Sequence, residues 1–92
     1  MSPENADLGR AIRRLRRDQK RTIEALALDA DMHPTYLSGI ERGRRNPTWS
    51  KITSLARTLG VSMSAIVNTA EQEAEVARAV RETRARHATA ER

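Results

Sequence analysis

Residues 22–48, TIEALALDADMHPTYLSGIERGRRNPT, decide how this chain folds. Thr22 is a good helix N-cap because its hydroxyl can accept an orphan amide proton, and Ile23, Leu26, Ala27 and Ala30 then recur at spacings of three and four, which is one apolar stripe on a helix. Asp31 and Met32 break that stripe. Pro34 stands where a first helical residue tolerates a missing N–H and gains from a fixed φ, so a further helix begins there, about nine residues long, with Leu37 and Ile40 on its buried side. Gly43 suits the left-handed position that closes a helix, and Gly43 to Pro47 reads as a loop.

The flanks extend the same pattern. Leu8, Ala11, Ile12 and Leu15 put one apolar stripe on a helix from about Ala6 to Asp18, whose other faces are mostly arginine. On the other side, Thr48 caps a helix with Trp49, Ile52, Leu55, Ala56 and Leu59 inward and Gly60 as its stop. Ser62 or Ser64 caps a fifth helix carrying Ala65, Ile66 and Met63 inward, and no breaker follows. From Ala70 to His87 the chain is Ala, Glu and Arg, a strongly helical mix with a narrow stripe of Ala70, Val76, Ala77, Val80 and Thr83. The expected fold is therefore all-α: a compact five-helix domain over residues 1–69 and a helical C-terminal extension over 70–92.

Composition narrows the function. The chain has 92 residues, enough for one small domain, and no cysteine or phenylalanine, so the core is aliphatic and neither disulfides nor thiolate metal sites are available. His33 and His87 are distant in sequence and lack clustered carboxylates, so no metal site and no cofactor are expected. No Ser-His-acid set, phosphate-cradling glycine loop or paired-carboxylate pocket is recognisable, which points away from an enzyme. Neither a signal-peptide pattern nor an apolar run long enough to cross a membrane is present, so the chain reads as soluble and cytoplasmic.

The net charge of +5 suggests a polyanionic partner. Arg10, Arg13, Arg14, Arg16, Arg17, Lys20 and Arg21 crowd one segment and Arg42, Arg44 and Arg45 another. Without Trp or Phe on its apolar stripe, the basic first helix is a poor membrane binder. Most of its arginine face is expected to be solvated, with Arg10 or Arg14 contributing to binding at long range.

Two short helices joined by a turn of three or four residues, the second with a small polar outer side, suit reading of the DNA major groove. With Leu37 and Ile40 inward, the helical period puts Thr35, Tyr36, Ser38, Gly39 and Arg42 on the outer side or its flanks. Thr35 and Ser38 can donate to or accept from base edges, and Tyr36 can pack on sugar or thymine or donate to phosphate. Gly39 costs about 1 kcal/mol against Ala in mid-helix. Either it lets the helix lie deep in the groove or it relieves crowding between helices.

The stretch HPTYLSGIERGRRNPT, preceded by TIEALALDADM, resembles the lambda-repressor and Cro type of helix-turn-helix, the xenobiotic-response-element family of regulators, over roughly residues 8–67. The resemblance implies a five-helix DNA-binding domain in which Pro34, Thr35, Tyr36, Ser38 and Gly39 face the bases. It further implies that the basic loop of Arg44, Arg45 and Asn46 holds phosphate, joined by Thr22, His33 and Arg42 at the helix ends, and that Arg16 pairs with Glu41 as a structural tie. Two positions depart from the pattern. Ile23 stands where many members carry a phosphate-touching glutamine, and Asp31 where the turn usually has glycine.

The expected partner is double-stranded DNA, bound by a homodimer on a near-palindromic site. The C-terminal helix is left with three readings: packing on the domain or a dimer mate, a mobile end, or a docking site for another protein. The last belongs to an alternative in which the chain is an antitoxin or adaptor whose helix-turn-helix serves autoregulation.

Overall fold

The computed structural model describes residues 4–90, with side chains to residue 88; residues 1–3 and 91–92, the ends of the expected domain and extension, lie outside the described residues. Five helices follow in order: α1 (Asn5–Asp18), α2 (Ile23–Asp29), α3 (Pro34–Glu41), α4 (Trp49–Leu59) and α5 (Met63–Ala90). No strand occurs among the described residues.

Each helix start is specified locally. The hydroxyls of Thr22, Thr48 and Ser62 accept from the amides of Ala25, Lys51 and Ala65, and α1 opens on a capping box in which the Glu4 amide donates to Asp7 Oδ2 at 2.8 Å. The ends of α1 to α4 share one form. Lys20, Asp31, Gly43 and Gly60 all have positive φ, and the residue after each donates its amide five residues back, as in Arg44 N–H to the Gly39 carbonyl at 2.9 Å. This left-handed closure satisfies carbonyls that would otherwise be orphaned. Two of the four positions are glycine, Asp31 tolerates the conformation, and Lys20 adopts it although nothing in its chemistry favours it.

Ile12, Leu26, Ala27, Ala30, Leu37, Ile40, Leu55 and Leu59 form the central core, with Leu8, Leu15, Ile23, Met32, Tyr36 and Val61 packed around it. This matches the inward faces expected for α1 to α3. Trp49 is the correction: it is 70% exposed at the first position of α4, so the inward face of that helix starts at Ile52. An indole there would have to enter a core already filled by aliphatic side chains of other helices.

α5 runs unbroken through the boundary expected between residues 69 and 70. It lies along α1, with Ile66 and Ala70 buried, Glu73, Ala74 and Ala77 half-buried, and Arg14 reaching across to Gln72 and Glu73. The stripe facing α1 is Ala70, Ala74 and Ala77, whereas Val76 and Val80 of the expected stripe are exposed. The helix gives the molecule its long axis, 51 Å against 24 Å in the other two directions.

Candidate nucleic-acid interface

α3 is positioned by α1. Arg16, buried on α1, donates from Nε to Glu41 Oε2 at 2.8 Å and from Nη2 to Glu41 Oε1 at 3.0 Å, while its Nη1 donates to the Arg21 carbonyl at 2.8 Å. One guanidinium thus joins the end of α1, the turn after it and the end of α3. The hydrogen bond to Glu41 is the main reason the Arg16 pKa is raised, against the opposing effect of burial. Beneath this pair, Gly9 lies directly against the α3 backbone: a Cβ there would stand 2.6 Å from the Glu41 carbonyl oxygen and closer still to that of Ile40. Only a residue without a side chain lets the helices approach so nearly.

With Leu37 and Ile40 buried, the opposite side of α3 faces out. Thr35 is exposed, and Pro34, Tyr36, Ser38 and Gly39 are half-buried. Thr35, Ser38 and Gly39 line a shallow concavity with Arg42, Arg44 and Arg45. Arg45 folds its stem over Gly39, where a Cβ would stand 2.7 Å from Arg45 Cγ, and places its guanidinium carbon 6.0 Å from the centre of the Tyr36 ring. Gly39 therefore makes room for the side chain of the following loop, a role distinct from spacing between helices. Tyr36 packs against the core with part of its ring, which sets it on the flank of the outward face.

The residues assigned to phosphate frame this surface. Arg42, Arg44, Arg45 and Asn46 are exposed on the end of α3 and its loop. The Thr22 hydroxyl oxygen is occupied as an acceptor by the Ala25 amide, which leaves its proton to donate outward. His33 caps α3, Nδ1 accepting from the Thr35 amide at 3.1 Å, so the neutral ring carries its proton on Nε2.

A second concavity adjoins the first, lined by Arg13, Arg16, Arg17, Ile23, Ser38, Glu41 and Arg42. Glu41, tied to Arg16, is the one carboxylate lining either concavity among the described residues. Arg10 and Arg14, the expected long-range contributors, point elsewhere: Arg10 pairs with Asp7, and Arg14 lies near Gln72 and Glu73 of α5. Sequence reasoning singled out Arg10 and Arg14 because helical spacing alone does not show which arginines meet the carboxylates of α5.

On the far side of α4, Trp49, Ile52, Met63 and Val67 line an apolar concavity with Leu8, Ile66 and Ala70. Trp49 and Val67 are exposed there.

A basic, concave surface carried on the second helix of a tight helical pair defines a DNA-reading module. The helix-turn-helix domain family matches residues 7–65. Among relatives, the immunity repressor protein of Bacillus phage phi105 is 40% identical over 60 residues, which span 65% of this chain and 42% of the repressor, less than half its length. The HTH-type transcriptional regulator y4dJ of Sinorhizobium fredii is 38% identical over 65 residues, 71% of this chain and 84% of that one. Among solved structures, the clp gene regulator ClgR of Corynebacterium glutamicum superposes with a TM-score of 0.80 at 32% identity, covering 89% of this chain and 86% of that one. The restriction-modification controller protein C.Esp1396I, solved as a tetramer on its natural 35 base-pair operator, superposes with a TM-score of 0.70 at 29% identity, over 75% and 91% of the two chains. The chain belongs to the helix-turn-helix domain family, and within it to the lambda-repressor/Cro type of DNA-binding transcriptional regulators.

Proposed function

We propose that this regulator reads a near-palindromic operator as a homodimer, each copy inserting α3 into the major groove and placing the loop after it on phosphate. The observation that carries this reading is the face of α3: small residues, Thr35, Ser38 and Gly39, surrounded by cations, with the nearby acid Glu41 neutralised by Arg16. Small side chains let a helix approach base edges in a groove about 12 Å wide, and an uncompensated carboxylate would repel the backbone.

Thr35 and Ser38 are the base readers, Gly39 and Pro34 set the depth of approach, and Tyr36 reaches sugar or thymine from the flank. Thr22, His33, Arg42, Arg44, Arg45 and Asn46 supply phosphate contacts. The controller protein that crystallised as a tetramer on operator DNA supports an oligomer, and here the apolar concavity around Trp49 and Val67 is the surface for a second copy. A two-fold axis there would set two α3 helices about 34 Å apart, in successive major grooves. Occupancy of the operator then blocks or recruits polymerase, in the cytoplasm and without chemistry by the protein. Residues 70–77 act as a brace for the DNA-binding domain, a reading supported by the packing of Ala70, Ala74 and Ala77 along α1.

Selection of bound duplexes from a random pool at near-physiological salt tests this. A two-fold symmetric motif with half-sites about one turn apart is expected. Binding without any motif, abolished by salt, would overturn it.

A further inference from the structure

α1 and the turn after it carry seven cations, and the structure sorts them by partner. Arg10 is paired with Asp7, Arg14 lies against Glu73, Arg16 grips Glu41, and Arg21 is paired with Asp29. The side chains of Arg13, Arg17 and Lys20 have no ion-pair or hydrogen-bond partner among the described residues, and all three are exposed; Lys20 lies in the turn, whereas the helix itself carries Arg13 and Arg17. They stand four residues apart on α1, one above the other on a single face. That face borders the concavity they share with Ser38, Arg42 and Ile23, which Arg45 does not line, so it adjoins α3; the same two arginines also line a concavity with Arg10, Arg14, Asp18 and Glu73.

Resting on the reading of α3 as the groove-entering helix, we propose that Arg13 and Arg17 form a second phosphate-binding rim, holding the backbone of the strand opposite the one met by Arg44 and Arg45. A major groove has a phosphate wall on each side, and a helix lying in it meets both. On one edge of α3 the structure supplies the loop arginines. On the other edge the start of α2 offers only the neutral Thr22 hydroxyl, since Ile23 has no polar group for phosphate, and Arg13 and Arg17 project beside them from α1. Two unpaired guanidiniums one helical turn apart can each take a phosphate oxygen pair in bidentate fashion. Neutralising a phosphate releases condensed counterions, so the rim has a signature that base contacts lack.

The test measures operator affinity against salt for the wild type, for Arg13→Gln/Arg17→Gln, and for Arg10→Gln/Arg14→Gln, on the duplex the wild type selects, with helicity checked for each. The rim variant should select the same motif but, with two arginines removed from each copy of the dimer, lose about 3.6 from the slope of log affinity against log salt. Its affinity loss between 50 and 200 mM salt would then be roughly a hundredfold smaller than that of the wild type. The Arg10/Arg14 variant should keep the wild-type slope. Ethylation of the operator phosphates should block the wild type at positions on both walls of each half-site, and the rim variant should lose the positions that Arg13 and Arg17 meet while keeping those on the wall met by Arg44 and Arg45. An unchanged slope in the rim variant, or one-wall interference in the wild type, would overturn the rim while leaving the α3 reading intact. Failure of the wild type to select a symmetric motif would instead overturn the α3 reading, and the rim with it.

Discussion

The guanidinium of Arg16 spans both carboxylate oxygens of Glu41, joining α1 to the end of α3. The two side chains are 9% and 3% exposed, so the pair is enclosed, and no buried side-chain polar atom among the described residues lacks a partner. This contact fixes α3 relative to α1, and it neutralises a negative charge beside the face proposed to meet DNA.

Removing one partner should therefore cost far more than a surface pair would. Arg16→Met or Glu41→Leu should each lower unfolding free energy by about 3–5 kcal/mol, because a buried charge is left uncompensated, and the double variant should recover much of that loss. Urea denaturation of the three variants decides it, and additive losses would show that the two side chains do not act as a pair. The raised pKa belongs to a cation, so the Arg16 contribution is fully present below its unfolded value and lost only as pH rises through the folded one. Stability between about pH 6 and 9 should carry no titration of Arg16.

Three glycines should respond differently to alanine. Gly9→Ala meets the fixed backbone of Ile40 and Glu41 and should destabilise by about 1–3 kcal/mol or more. Gly60→Ala has open space but a φ of +69°, and should cost about 1 kcal/mol through backbone strain alone. Gly39→Ala meets a movable arginine stem in mid-helix, so stability should hold or rise by up to about 1 kcal/mol while operator affinity falls. Thermal melts beside operator titrations separate the three, and a Gly39→Ala protein with undiminished affinity would remove Gly39 from the interface.

On the recognition face, Thr35→Ala and Tyr36→Ala should reduce discrimination between operator and unrelated duplex by roughly 1–3 kcal/mol. Arg44→Ala should instead weaken binding to every duplex and lower the dimer's salt slope by about 1.8, one contact from each copy. Equal losses on all sequences for all three variants would show that the reading face lies elsewhere.

Trp49→Ala should leave the monomer fold nearly untouched, within about 0.5 kcal/mol, since the ring is largely in solvent. Dimer dissociation should become at least 30-fold easier if the ring is a central anchor worth roughly 2 kcal/mol. Sedimentation across a concentration series reads both states, and an unchanged dissociation constant would place the second copy on another surface.

Much of the fold was legible because its signals are local. Caps at Thr22 and Thr48, Pro34 at a helix start, and stops at Gly43 and Gly60 act within a few residues of themselves, and the apolar stripes of α1 to α3 mark the same buried residues that the structure packs together. The outward face of α3 followed from that stripe by helical period alone. The positive φ of Lys20 was not legible, because the backbone closure of α1, in which the Arg21 amide donates to the Arg16 carbonyl, imposes it and the side chain does not.

Sequence by itself thus determined the number and order of the helices, the ends of α1 to α4 and which side of α1 to α3 seeks water, since these depend on propensity, capping and periodicity along one segment. Tertiary structure alone decided the matters that depend on a partner from another segment: that Gly9 is a contact point, that Trp49 stays outside an already filled core, and that Gly39 shelters Arg45. It also decided which arginines of α1 are consumed by carboxylates and which remain open. A stripe of charges has no preferred member until the folded chain brings acids to some of them, and here that leaves Arg13 and Arg17 beside the reading helix.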